Sequence, residues 1–402
     1  MARSRAARTE TLFEQTYSSM RYAFRLAELL GHTPDRRKRP GTIKAIVEYT
    51  GLDRHQVAAL LKNEAKYIPI EALSRLCDYL IEHGYAKAEE LPGALFAIKP
   101  ENFWELLAKR RRLEICVGVR KPPDDDKADT AWIVASDMVL AGEILNGVST
   151  LGGTAKAIAR DGKPGHDVPS GIENLKQSLV WSPGTMNDEI VHNCASDVFN
   201  AFGEVDGDKA LICLGSVKSN PTVDLIIGSA FGCTPFVPQD DVEEATQRSA
   251  PFFLRYREND PHPPSVCAGM RLSKTESADQ PGLYYEDAEG KWQYAGGGTR
   301  EQDAALVFYI YRESLGRLEM ICSGFSGRAT RLLARTLAHQ AEVFWPPIYD
   351  QNYLQIGGYI VQYAAPDEAD SPEDLLRTDL LAEFKVLPLP GEAIMRRLNR
   401  VS

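Results

Sequence analysis

The run Thr42–Leu80 narrows the choice of fold more than any other part of this chain. It reads TIKAIVEYTGLDRHQVAALLKNEAKYIPIEALSRLCDYL, with apolar residues recurring at helical spacing: Ile43, Ile46 and Val47; then Val57, Leu60 and Leu61; then Leu73, Leu76 and Leu80. Gly51 separates the first two runs and supplies the backbone freedom that a sharp turn between helices needs, with Leu52 after it. Asp53 stands just ahead of the second run, where its carboxylate can take the unpaired N–H groups of a helix start. Pro69 opens the third run, where a first-turn proline is tolerated. Two short helices joined at a glycine, with a third behind, make a helix-turn-helix.

The same residues resemble the Cro/C1-type (XRE-like) helix-turn-helix family over about residues 42–80. IVEYTGLD corresponds to the first helix and turn, RHQVAALLKN to the recognition helix, and KYIPIEALSRLCDYL to the closing proline and helix. Where that family often carries a glycine after the recognition helix, this chain has Asn63 and Glu64, and asparagine can also form the left-handed cap. The resemblance implies double-stranded DNA as partner, with the second helix in the major groove. Residue chemistry points the same way. The N-terminal residues of such a helix reach base edges; here these are Arg54, His55 and Gln56, with Ala59 on the same face. Arginine can bond guanine bidentately and glutamine can do so to adenine. Lys44, Lys62 and Lys66 are placed to meet phosphate. A plain helical bundle with a polar face is the weaker reading, because turn, caps, periodicity and polar tip agree.

At 402 residues, the chain is long enough for two or three domains. Its net charge of −10 is unevenly spread: residues 1–112 hold 20 Lys+Arg against 14 Asp+Glu, so +6, and the remainder holds 46 − 20 = 26 against 56 − 14 = 42, so −16. A basic head on an acidic body suits a polyanion partner at one end only. Seven cysteines are scattered without a CxxC pair, and Cys116, Cys213 and Cys322 lie inside apolar runs. This spacing argues for a reducing cytoplasm and against a zinc site. No apolar run reaches membrane-spanning length, and the N-terminus has no signal-peptide core, so no membrane is expected as partner.

Along the chain, residues 1–9 read equally as a plain tail or as an arm touching DNA. Residues 10–31 are expected to form a helix closing the back of the motif, and together residues 10–85 make the DNA-binding domain. The loop that follows, HTPDRRKRPG, crowds Arg36, Arg37, Lys38 and Arg39, a phosphate-backbone contact rather than a mere solvated turn. Residues 86–112 read as a helical linker whose closing cations, Lys109–Arg112, complement the helix dipole.

Residues 113–365 read as an α/β domain with a mixed sheet, giving an α + α/β fold: an N-terminal all-α domain followed by a larger body of β-loop-α units. LEICVGV is expected as a buried strand, residues 130–149 as strand then helix, residues 151–185 as a long loop or flap, and residues 186–203 as a helix. DAALVFYIYRES should be a strand in a hairpin with the next, and residues 352–365 a strand pair or bent strand. Residues 366–402 form an acidic, then amphipathic, tail that packs on the body or a partner.

Two stretches repeat one design. Strand Ala210–Leu214 runs into Gly215, Ser216, Lys218 and Asn220 before a helix; strand Leu318–Cys322 runs into Ser323, Gly324, Ser326, Gly327 and Arg328 before another. Neither is a P-loop, a dinucleotide fingerprint or a nucleophile elbow, because the required spacings are absent. Glycine loops between strand and helix, each with one cation, suit a phosphate or carboxylate if they converge at one sheet edge; tight turning alone is the plainer account. Asp188, Glu189 and His192 share a helix face but lack an HExxH pattern, and a solvated polar face explains them better.

The expectation is therefore a cytoplasmic, sequence-specific DNA-binding transcription regulator. Its α/β body senses a ligand, nucleotide-like or otherwise phosphate-bearing, or mediates self-association into a homodimer or larger homo-oligomer. No cofactor and no catalytic residue are assigned. The alternative is a nucleotide- or NAD-processing effector, such as a phage-defence enzyme, whose head targets or autoregulates it; a third reading makes the body a scaffold without a pocket.

Overall fold

The computed structural model describes residues 22–30, 42–62, 64–88, 91–98, 100–110, 112–121, 131–150, 175–204, 208–297, 299, 301–351, 354–364 and 383–398. The chain divides into two compact units, residues 1–101 and residues 102–402.

In the first unit, strand β1 (Tyr22–Phe24) precedes the short helix α1 (Leu26–Leu29), and three further helices follow: α2 (Thr42–Thr50), α3 (Arg54–Leu61) and α4 (Ile70–Glu82). The last strand, β2 (Phe96–Ile98), pairs antiparallel with β1. The helix expected over residues 10–31 is thus corrected within its described part. Tyr22–Phe24 is extended because a strand lies beside it, with the Phe24 and Phe96 rings edge to face at 5.3 Å. Residues 1–21 lie outside the described residues. The apolar positions read as helical stripes do meet: Ile46, Val57, Leu60, Leu76 and Leu80 are buried together with Leu26 and Leu95.

The second unit opens with helix α5 (Phe103–Ala108), so the expected linker 86–112 contributes β2 to one unit and α5 to the other. Arg110 is not a surface cation at a helix end. It is buried, donates to the Leu106 carbonyl and to the Tyr311 hydroxyl at 2.8 Å, and lies over the Tyr311 ring. Strand β3 (Arg112–Arg120), the short β4 (Trp132–Ile133), helix α6 (Ala135–Thr150), strand β5 (Leu175–Trp181), helix α7 (Asp188–Glu204), strand β6 (Lys209–Leu214) and helix α8 (Thr222–Phe231) follow. Then come four short strands, β7 (Phe252–Arg255), β8 (Ala268–Gly269), β9 (Gly282–Glu286) and β10 (Trp292–Gly296). The hairpin β11 (Gln302–Arg312) and β12 (Arg317–Gly324) leads to helix α9 (Gly327–Gln340) and to β13 (Tyr349–Gln351), β14 (Leu354–Ala364), β15 (Glu383–Pro388) and helix α10 (Gly391–Leu398).

The main sheet has nine strands and is mixed, as the sequence predicts. β5, β3, β6 and β12 run parallel as neighbours, while β11 and β14 are antiparallel to the strands they pair with. Side chains alternate between its faces. Leu113, Ile115 and Val117 pack with α5, α6 and α9 on one side, whereas Cys116 and Cys213 pack with α7 and α8 on the other. Both faces are covered, which is why β3 and β6 read as continuous apolar runs.

Three expectations about the body change. Of the flap over residues 151–185, Leu175–Trp181 is a full strand beside β3, while residues 151–174 lie outside the described residues. Of the two readings of residues 352–365, a strand pair or a bent strand, the structure has a single strand, β14, held by β11 on one side and by β13 and β15 on the other. The tail carries the strand β15 and the amphipathic α10. Arg397 of α10 is buried and ion-pairs with the buried Glu286 of β9.

Candidate functional site: a helix-turn-helix face and a sheet-edge cleft

The turn of the head is built from contiguous residues. Gly51 takes φ +73°, a left-handed value glycine adopts without strain. Thr50 donates to the Ile46 carbonyl at 2.6 Å and closes α2, and Leu52 is buried beneath the turn. Asp53 then caps α3: its Oδ1 accepts the N–H of His55 at 2.7 Å and of Gln56 at 2.8 Å. Gln56 answers, its Oε1 accepting the Asp53 N–H at 3.1 Å, which completes a capping box.

This arrangement sorts the residues expected to read DNA. Arg54 and His55 are exposed and form no side-chain hydrogen bond or ion pair among the described residues. Gln56 is half-buried with its amide oxygen committed to the cap, so bidentate contact with adenine requires that bond to open. Ala59 is half-buried on the same helix. Lys44 and Lys62 are exposed beside Glu48 at 3.6 Å and Glu64 at 3.9 Å, exposed pairs that salt and water loosen. Lys66 is exposed and has no such pair among the described residues. Arg36, Arg37, Lys38, Arg39 and Asn63 lie outside the described residues. Tyr67, next to Lys66 and between α3 and α4, has 77% of its surface exposed.

In the body, the two glycine loops meet. The carboxyl ends of β3, β6 and β12 lie side by side and line an open cavity of about 200 Å³. Of the residues expected there, Gly215, Ser216, Lys218, Gly324, Ser326 and Gly327 line it; Asn220, Ser323 and Arg328 do not. Asn220 is a strut: its amide donates to the carbonyls of Cys116 at 3.0 Å and Leu214 at 3.1 Å, and its oxygen takes the Thr222 N–H. Ser323 is buried within β12, opposite Leu306 of β11. Arg328 donates to the Thr299 carbonyl at 2.8 Å and lies 3.7 Å from the buried Asp303.

Lys218 is held in place. Its ammonium bonds Asp260 at 3.1 Å and the Phe325 carbonyl at 3.0 Å and sits over the Phe325 ring, with burial pulling its pKa down against the pull of Asp260. Ser326 caps α9, accepting the Ala329 N–H and donating to Asp303. The lining residues that were missed include Arg120, Ser136, Asp137, Arg257 and Asp260. Arg120 ends β3 and Ser136 and Asp137 open α6, and the rule that α/β ligand sites open at the carboxyl ends of strands would have pointed to this region. Arg257 and Asp260 arrive on a loop after β7 that carried no signal.

His192 stacks on Phe236 at 4.1 Å, and burial lowers its pKa; Asp188 and Glu189 are exposed. No group of His, Cys, Asp or Glu among the described residues could hold a metal ion. No described helix is long and apolar enough to cross a membrane.

Comparison with known families agrees with the geometry of the head. Residues 36–81 match the family model of the Cro/C1-type helix-turn-helix DNA-binding domain, so this chain carries such a domain. No curated protein and no solved structure matches the chain.

Proposed function

We propose that this protein is a sequence-specific transcription regulator that binds DNA through α3 and whose α/β body senses a small ligand and joins copies of the chain. The observation that carries this reading is the exposed tip of α3, Arg54 and His55, presented by a complete capping box within a Cro/C1-type domain. A helix of this length reaches few base pairs, so useful specificity takes two copies on paired half-sites. Lys44, Lys62, Lys66 and the loop Arg36–Arg39 meet phosphate in this reading and position the helix without choosing sequence. The cytoplasm is the compartment such a regulator works in.

Footprinting on the DNA upstream of the protein's own gene, at two salt concentrations, tests it. Wild type should protect a palindrome, and Arg54→Ala should lose that protection. Replacing Arg36, Arg37, Lys38 and Arg39 together should weaken binding to all DNA and flatten its salt dependence. Equal protection of any DNA by wild type and Arg54→Ala would overturn the reading. Sedimentation at micromolar concentration tests the assembly; a monomer would contradict it.

A further inference from the structure

The cleft at the carboxyl ends of the parallel strands holds charged groups that the fold leaves unspent. In sheet order, β5, β3, β6 and β12 place the first parallel strand of the body between its successors, so the chain changes direction between β3 and β6. Ligands of open α/β sheets bind at such a switch point. Here the two glycine loops close on the first turn of α6. A methyl group at Gly215 would stand 3.5 Å from Asp137 Oδ2, and one at Gly327 would stand 3.4 Å from Ser136 Oγ.

Two buried carboxylates show what is unusual. Asp224 and Asp137 are both almost fully buried, and burial pushes each up to about 6. Asp224 is saturated: it accepts from Ser265 and from the N–H groups of Val266 and Phe236. Asp137 has only the Ser136 hydroxyl, at 3.4 Å, among the described residues. A buried carboxylate with so few donors costs the fold free energy unless something else supplies them. Arg120, at the mouth of the same cavity, is exposed; its charge acts on Asp137, but among the described residues it forms no ion pair at contact distance. Gly327, first residue of the 14-residue α9, lines the cavity, and the one cap bond of Ser326 goes to Ala329 instead. A helix start beside an arginine favours an oxyanion; a carboxylate short of donors favours a hydroxyl. The volume suits a small ligand: the cleft holds about 200 Å³, below the usual range for drug-sized ligands, and is open to solvent on one side.

We propose that this cleft binds a small phosphorylated polyol of sugar-phosphate size, with its phosphoryl group at the start of α9 and against Arg120 and a hydroxyl on Asp137. This names the ligand class for the sensing body proposed above. The binding is measured without DNA, so its failure is distinct from a failed footprint.

The experiment is calorimetric titration of the full chain with ribose 5-phosphate, inorganic phosphate and ribose. Ribose 5-phosphate should bind saturably and more tightly than either fragment. Arg120→Ala should weaken ribose 5-phosphate and phosphate alike by about tenfold, and Arg120→Lys should recover part of the loss. Asp137→Asn, close in shape, should cost ribose 5-phosphate about tenfold while leaving phosphate no weaker. Thermal unfolding of each variant establishes that it is folded. No saturable binding of ribose 5-phosphate, equal affinity for phosphate alone, or indifference to both substitutions would overturn the proposal.

Discussion

The two units present polar residues in opposite ways. In the head, the polar bonds run between chain neighbours: Asp53 to His55 and Gln56, Lys44 to Glu48. In the body, the polar groups around the cleft reach across the sequence. Asn220 bonds the carbonyl of Cys116, Lys218 bonds that of Phe325, and Ser182 bonds that of Ser219. A surface made by local bonds can be altered one residue at a time, whereas a cleft made by distant ones is coupled to the stability of its sheet.

The hardest blow to that contrast is Asn220→Ala. It strips the donor from two buried carbonyls and the acceptor from the Thr222 N–H, and should cost the body about 3–5 kcal/mol, read as a shift of the urea midpoint. A cost near zero would mean that the strut is dispensable and the cleft is as locally built as the head. Next in size, Arg54→Ala should lower affinity for the matching site by about 1–3 kcal/mol and leave random-DNA binding and unfolding unchanged. A matching loss of stability would place Arg54 in the fold instead of on the DNA.

Asp137 tests the body's side of the comparison through pH. Its carboxyl is raised from an ordinary 3.8 to about 6, so the folded state holds the proton more tightly than the unfolded chain. Its contribution to stability is whole below 3.8 and is lost as the pH rises through about 6, with Arg120 opposing the loss. Asp137→Asn should therefore stabilise the body by about 1–2 kcal/mol at neutral pH and not at all at pH below 3.8, measured by unfolding across that window. An equal gain at both ends would show that the site carries no charge to relieve. The smallest effect separates cap from contact. Gln56→Glu keeps the acceptor of the capping box and should leave stability unchanged, whereas Gln56→Ala should cost about 0.5–1 kcal/mol. Both should lose any adenine contact. If only Gln56→Ala affects DNA, Gln56 acts through the cap alone.

Much of the fold was legible because its signals are short-range. The continuous apolar run of β3 announced a strand covered on both faces, and Gly51 with Asp53 announced a turn and a cap. Tyr22–Phe24 was misread as helix because its partner, Phe96–Ile98, lies far along the chain and extended pairing leaves no local mark. Leu175–Trp181 was hidden for the same reason, its strand character resting on β3 beside it. Of the cleft, the glycine loops were visible, since tight turns and helix caps are written in adjacent residues. Asp137 and Arg120 were two among many charged residues; burial singled out Asp137, and Arg120 is marked only by its place on the cavity lining.

By itself the sequence determined the helix-turn-helix, the start of its second helix at Arg54, the mixed α/β class of the body and the two Gly-Ser turns. Each of these rests on propensity, capping or periodicity within a few residues. Only the tertiary structure decided that Asn220 braces two strands while Asp137 has a single hydrogen-bond donor among the described residues, that Gln56 is turned back into its cap, and that loops from the ends of β3, β6 and β12 share one cavity. Which carboxylate is desolvated, and which donor is already taken, depends on what the rest of the chain brings next to it.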